Sequence, residues 1–294
     1  MDMDALLPNE MAEKAERVGV GKASMGVARV FALAVLAGAF IAFGAVFSTT
    51  VAAGAAPLPW GVTRLLSGTV FSLGLVLVIV GGAELFTGNN LIVMAWANRR
   101  VTTASLLRNW LVVYTGNLVG SVATAGLVFV SGQYRFGGGA VGATALAIAR
   151  AKLELEPVQA IALGILCNTL VCLAVWLTFS ARTTADRVLA IVPPIACFVA
   201  AGFEHCIANM YFVPYAMLVH WLAPDSFFAT IGQAREASAM LRVDDFLLHN
   251  LLPVTVGNVI GGVGCVGLVY WAVYLRGRAN PSTPEKGPSR DRPL

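Results

Sequence analysis

His205 lies in Gly202-Phe203-Glu204-His205-Cys206-Ile207-Ala208-Asn209, inside an apolar run long enough to cross a bilayer. A neutral imidazole can donate one hydrogen bond to an anion and can pass a proton near neutral pH. The other two histidines, His220 and His249, fall near the ends of apolar runs. A titratable group at membrane depth is by default a functional residue. Gly81-Gly82-Ala83-Glu84-Leu85-Phe86-Thr87-Gly88-Asn89-Asn90 interrupts a second apolar run in the same way. Irregular backbone at that depth is tolerated only where protein buries it or a cavity meets it. Two interrupted spans, one in each half of a chain, mark a translocation site. The expected chemistry is therefore passage of a small solute, with His205 at its centre.

The neighbouring residues qualify that expectation. Glu84 and Glu204 occupy comparable places in the two breaks. Carboxylates aimed into a pore would repel anions, so each is expected to accept backbone N–H bonds and hold its broken segment. Thr87, Asn89 and Asn90 either do the same or face the path. Asn168 and Asn209 are amides within apolar runs, and either tie helices together or donate into the path. Phe71, Leu75, Leu85, Phe86, Val171 and Phe198 are individually ordinary core residues. As rings above and below His205 they would form dry constrictions. Lys152, before the fourth apolar run, is either a solvated lysine or a lure for anions.

Other chemistries fit less well. The five cysteines lie inside apolar runs with no Cys-x-x-Cys pair, as small buried hydrophobes do. Adjacent Glu204 and His205 cannot face one metal from one helix, and no ligand set with metal spacing accompanies them. No enzyme activity, metal or cofactor is expected. Lys152 and a titratable centre argue against a passive water or glycerol pore.

The elements that must position these residues follow from composition. Of 294 residues, 57% are apolar and 12% charged, against roughly 45–50% and 25% in soluble domains. The partner is lipid. The net charge of +4, without a basic run interleaved with aromatics, gives no reason to expect nucleic acid. A spanning helix needs about 20 apolar residues. Runs near 29–53, 61–82 with continuation to 98, 105–131, 157–180, 187–220 and 246–275 meet that test. The fold class is all-α integral membrane, with six transmembrane helices, two of them broken. Residues 6–20 read as an amphipathic helix, lying on the membrane or the channel face, or acting as a movable gate. Residues 1–28 form that N-terminal part, 29–276 the channel domain, and 277–294 a disordered tail. The acidic start and long first apolar run do not resemble a signal peptide. Placing both termini in the cytoplasm puts 14 of the 20 lysines and arginines inside, with Lys152 outside.

The halves are related. Asn109-Trp110-Leu111-Val112-Val113-Tyr114-Thr115-Gly116-Asn117-Leu118-Val119-Gly120 and Asn250-Leu251-Leu252-Pro253-Val254-Thr255-Val256-Gly257-Asn258-Val259-Ile260-Gly261 match at an offset of 141. Three crossings per half give the copies opposite topology, an inverted three-plus-three repeat. Gly-x-x-x-Gly in each copy lets helices approach closely.

From Leu6-Leu7-Pro8 to about Leu275 the sequence resembles the formate–nitrite transporter family, above all its bacterial formate channels. The residues that carry the likeness are Gly202 to Met210, Gly82-Ala83-Glu84-Leu85-Phe86-Thr87, and the two Asn-x-x-x-Val-x-x-Gly-Asn segments. The resemblance implies an aquaporin-like bundle and a homopentamer with one pore per protomer, in the bacterial inner membrane. It makes His205 the central pore histidine, Thr87 its hydrogen-bonding threonine, and Asn209 and Glu204 their companions. It places Phe71, Phe198 and Asn168 at the outer constriction or pore wall, and Leu75, Leu85, Phe86 and Val171 at the inner constriction. Lys152 becomes the lysine of the outer vestibule. The implied substrate is formate, moved as the anion or as formic acid; nitrite, hydrosulfide or lactate are the rivals. Gly88-Asn89-Asn90 and Cys206 depart from the formate-channel pattern.

Overall fold

A computed structural model describes residues 5–55 and 57–277. The disordered tail expected after Gly277 lies outside the described residues, as do Met1 to Asp4. The described residues form helices joined by short turns, with no β-strand among them.

Helix α1 (Pro8–Ser24) precedes the first crossing, α2 (Val27–Ala52). The second crossing is built from α3 (Trp60–Phe71) and α4 (Leu73–Gly81), a break, and then α5 (Phe86–Asn89), a 3-10 turn and α6 (Val93–Ala97). Helix α7 (Thr103–Val130) is the third crossing. A connection containing α8 (Ala140–Leu153) leads to the fourth, α9 (Pro157–Ser180). The fifth consists of α10 (Thr184–Ala201), a break and α11 (Cys206–Leu222). Short α12 (Asp225–Ile231) folds back from α11 at 111°. The sixth crossing runs from α13 (Val243–Asp245) through α14 (Leu252–Val259) to α15 (Val269–Tyr274), with π-helical turns at Phe246–Leu251 and Ile260–Leu268. Among the described residues, six segments are long and apolar enough to cross a membrane. Two are interrupted, and the halves form an inverted three-plus-three repeat.

Helix α8 was not expected from the sequence, which reads there as a long connection. Gly137, Gly138 and Gly139 all adopt positive φ and turn the chain into it. Gly142 then packs so close to Phe227 and Tyr134 that a Cβ would lie 2.6 Å from the Phe227 ring.

Helix α1 extends to Ser24 and docks on the bundle. Lys14 Nζ donates to the Phe179 carbonyl at 2.8 Å, and Asn98 Nδ2 to Glu16 at 2.7 Å. The Ser180 hydroxyl donates to the Leu6 carbonyl at 3.1 Å. Met11, Ala12 and Ala15 are buried beneath it against Leu91, Met94 and Trp176. Helices α1 and α8 mark the two opposite faces of the bundle.

The repeated glycines explain the packing at the centre. A Cβ on Gly120 would come within 1.9 Å of the Val35 carbonyl oxygen. Its counterpart Gly261 would come within 2.2 Å of the Ile165 oxygen. Thus α7 seats on α2, and the sixth crossing on α9, through the same backbone-to-backbone approach.

Candidate functional site

Both breaks are built alike, at an offset of 120 residues. Gly82 (φ 76°) ends α4 and Gly202 (φ 79°) ends α10, each in the left-handed conformation that glycine adopts without strain. The amide of Ala83 closes on the Val78 carbonyl and that of Phe203 on Phe198, both at 2.9 Å. Leu85 and His205 are the corresponding extended residues that start the next helices.

A break inside a bilayer leaves backbone groups that water cannot satisfy. Two asparagines satisfy them. Asn117 on α7 donates to the Ala34 and Glu84 carbonyls at 2.8 and 2.9 Å, and accepts the Phe86 amide at 2.9 Å. Asn258 on α14 donates to the Gly164 and Glu204 carbonyls at 2.8 and 2.9 Å, and accepts the Cys206 amide at 2.9 Å. This is the physical content of the duplicated Gly-Asn. The expectation that Glu84 and Glu204 hold the breaks through backbone N–H bonds is therefore corrected: amide side chains do that.

The two carboxylates have other partners. Glu204 accepts from Lys152 Nζ and Asn209 Nδ2, each at 2.7 Å. Glu84 accepts from Lys22 Nζ and Asn89 Nδ2, each at 2.7 Å. Asn209 donates on to Asn250 at 2.8 Å, and Asn89 to Asn109 at 2.9 Å. Each half thus carries the same chain of a part-buried lysine, a buried glutamate and two buried asparagines. Lys22, Asn109 and Asn250 went unassigned in the sequence. A second lysine at a matching place before the other break was the available signal.

The path between the faces consists of two cavities and a small chamber. On the α8 side a vestibule of about 530 Å³ is lined by Arg64, Lys152, Glu204, His205, Phe71 and Phe198, among others. On the α1 side one of about 330 Å³ is lined by Lys14, Lys22, Glu84, Arg187, Leu75 and Leu85, among others. Between them is a chamber of about 10 Å³, lined by Phe71, Phe198, His205, Leu75, Leu85, Val171, Ile41 and Ile195. That volume holds about one water-sized probe. Phe71 and Phe198 meet edge to face at 5.7 Å and wall the chamber from the α8 vestibule. Leu75 and Leu85 wall it from the other. Ile41 and Ile195 complete its lining and were missed, because nothing in an apolar run marks which face of a helix meets a path.

His205 borders both the chamber and the α8 vestibule and is 3% exposed. Its Nδ1 accepts the Ala208 amide at 3.1 Å, which fixes the ring proton of the neutral form on Nε2. Nε2 lies 3.0 Å from the Thr87 hydroxyl on the other broken crossing. Thr87 is held in turn: its carbonyl accepts from Asn168 Nδ2 at 3.4 Å and from the Cys172 thiol at 3.3 Å.

Three of the named residues do not line the path, and for Asn168 and Asn209 it is the helix-tying alternative that the contacts match. Asn168 lines neither vestibule nor chamber. It is fully buried and donates to Asn90 at 2.8 Å and to the Asn258 carbonyl at 2.7 Å, so it joins helices. Asn209 is equally buried within the Glu204 chain. Phe86 packs behind the path, edge to face with Tyr114 at 5.0 Å and Trp110 at 6.1 Å, and is absent from the chamber wall. Among the described residues no three His, Cys, Asp or Glu side chains converge as a metal site.

An inverted helical bundle, with two vestibules meeting at apolar rings around one buried imidazole, defines a membrane channel or transporter. The sequence profile of the formate/nitrite transporter family matches residues 9–272, and the chain belongs to that family. It is 45% identical over 273 residues to formate channel FocA of Escherichia coli (strain K12), covering 93% of this chain and 96% of that one. FocA of Haemophilus influenzae is 41% identical over 264 residues, covering 90% and 93%. A solved structure described as a pentameric formate channel with formate bound superposes with TM-score 0.80 at 46% identity, covering 85% of this chain and 98% of that chain. The protein is accordingly a multi-pass membrane protein of a transporter family rather than an enzyme.

Proposed function

We propose that this protein moves formate across the bacterial cytoplasmic membrane through the path described above. The observation that carries the reading is the position of His205: a proton-bearing Nε2 beside an otherwise apolar chamber, between two charged vestibules. A bare carboxylate entering a dry ring loses its hydration at large cost. A donor aimed at the ring offsets part of that cost, and a proton passed to the anion removes most of it. Formic acid titrates near the carboxyl range, at about 4, and imidazole at about 6.5. For the neutral acid to clear Phe71 and Phe198 or Leu75 and Leu85, His205 takes a proton from a vestibule, gives it to formate and returns to the neutral form, and the acid releases that proton in the opposite vestibule. In water the transfer runs uphill by the difference of these values, and the dry chamber, which disfavours the charged pair, favours it. The relatives named as formate channels support the substrate. In proteoliposomes formate uptake should exceed that of nitrite, lactate and hydrosulfide under equal gradients, and glycerol should not enter. Faster uptake of any of these rivals than of formate overturns the assignment.

The formate-bound relative supports a homopentamer, and the close-packing glycines of each protomer are compatible with it. The lysine and arginine distribution supports both termini in the cytoplasm, which makes the α8 vestibule periplasmic. Native mass spectrometry in mild detergent should then return five chains, and a reporter fused after Leu275 should be active only on the cytoplasmic side. A dominant monomer, or a reporter active outside, counts against this arrangement.

A further inference from the structure

Lys152, the residue a sequence reader would choose as the anion lure, cannot supply net charge to its vestibule. Its ammonium sits 2.7 Å from the Glu204 carboxylate, and both side chains are largely buried, at 13% and 6% exposure. The pair is neutral as a unit. The lining of the α8 vestibule contains one other charged side chain, Arg64 on α3. Its guanidinium donates from Nε to the Ala200 carbonyl at 3.0 Å and from Nη2 to the Val199 carbonyl, and the Glu204 charge acts on it from beyond ion-pair distance, itself matched by Lys152. Those carbonyls end α10 and carry the partial negative charge of a helix C-terminus. Arg64 offsets that charge and leaves a positive surplus facing the vestibule.

The α1 vestibule repeats the pattern. Lys22 and Glu84 pair at 2.7 Å, and the remaining charged lining residues are Lys14 and Arg187. Lys14 donates to the Phe179 carbonyl rather than to an acid. Burial, then Arg187, Arg182 and Arg17, push its ammonium below the usual lysine range.

We infer that the anion-attracting charge of the two vestibules is carried by Arg64 on one side and by Lys14 and Arg187 on the other, while the repeat-related Lys152 and Lys22 are neutralised where they stand. Arg64 is thus a specificity-determining residue for anions entering from the α8 face. The inference rests on the proposed anion path. Its test reads electrostatic potential directly, so that it fails or holds separately from formate transport.

The probe is a cysteine placed in the vestibule by Ala147→Cys, at an exposed position on its wall, in a chain whose exposed Cys197 and Cys265 are replaced by serine. The quantity measured is the ratio of its modification rates by a negatively and a positively charged methanethiosulfonate. Removing one unit charge from the wall of the same vestibule shifts the two rates in opposite directions, by about three-fold each where the interaction is about 0.7 kcal/mol, so Arg64→Gln should lower the ratio up to about ten-fold. Arg64→Lys should keep it. Replacing the pair together, Lys152→Met with Glu204→Gln, should move it by less than about two-fold. The opposite pattern, a ratio insensitive to Arg64→Gln but lost with the pair, overturns the inference. Should Arg64→Gln not assemble, Arg187→Gln read by Val18→Cys in the other vestibule provides an independent decision: an unchanged ratio there overturns the inference, and a ten-fold fall upholds it. Absence of formate uptake by the unaltered chain would instead sink the transport reading, leaving these rates to decide the charge assignment.

Discussion

His205→Phe should abolish formate uptake while leaving the assembled protein intact. The side chain is enclosed by Phe198, Phe71 and Leu85, and its ring already stacks near Phe198 at 5.9 Å. A phenyl ring of similar size fills that place and adds a third aromatic to the apolar wall. It loses the acceptor for the Ala208 amide and the donor facing Thr87. The first loss leaves a buried N–H without its partner, at a cost of about 1–3 kcal/mol, which a six-span bundle can absorb. The second removes the polar group beside the chamber, so a desolvated anion meets nothing but carbon. A hundred-fold fall in flux corresponds to about 2.7 kcal/mol on the barrier, a modest fraction of the cost of stripping a carboxylate. His205→Asn separates the two roles of the ring. It keeps hydrogen bonding but cannot take up a proton. Formate should then cross as the anion, driven by the electrical gradient, with the pH dependence of uptake flattened. Uptake by the asparagine variant that retains the unaltered pH profile would refute proton relay and leave His205 as a fixed donor. Size-exclusion and melting profiles must match the unaltered protein before either flux result is read.

Much of this site was legible because the bilayer is an unforgiving solvent. Glycine, glutamate and histidine in the middle of an apolar run have no stable place in lipid, so Gly202-Phe203-Glu204-His205 and Gly82-Ala83-Glu84-Leu85 declared themselves as breaks. The duplicated Gly-Asn likewise announced two helices in matching places. What each polar side chain touches was not legible, because the partners are distant along the chain. Lys22 is 62 residues from Glu84, and Lys152 is 52 from Glu204. Without those pairings Lys152 reads as a free cation, and the glutamates read as caps for backbone amides. Phe86 misled for a different reason. It follows a break directly, and one residue of rotation decides whether its ring faces the chamber or Tyr114. Helix α8 hid in a segment rich in alanine and glycine, where no strong periodicity separates a helix from a loop.

Asn258→Leu should have the largest effect on folding of any single change considered. Leucine is nearly isosteric with asparagine, so packing is little disturbed and the result isolates the polar contacts. Three backbone groups lose their partner: the carbonyls of Gly164 and Glu204 and the amide of Cys206. The Cys206 amide begins α11, where no intrahelical acceptor exists for it. At about 1–3 kcal/mol for each orphaned buried group, the total is about 3–9 kcal/mol. That is comparable to the whole stability of many domains. The Asn168 bond to the Asn258 backbone carbonyl survives the substitution, so α9 stays attached to the sixth crossing. The break itself is what loosens, and His205 is the residue immediately before Cys206. Purified protein should therefore melt at clearly lower temperature and yield less of the assembled form. Whatever assembles should transport poorly, because His205 and Thr87 no longer keep their 3.0 Å separation. Asn117→Leu should destabilise by a similar amount, since its three contacts copy those of Asn258. It acts on Leu85 rather than on His205, however, so its surviving pores should retain the pH dependence of the unaltered chain. Equal melting temperatures for Asn258→Leu and the unaltered protein would show that lipid or relaxed backbone satisfies these groups, and that the duplicated asparagines do not hold the breaks.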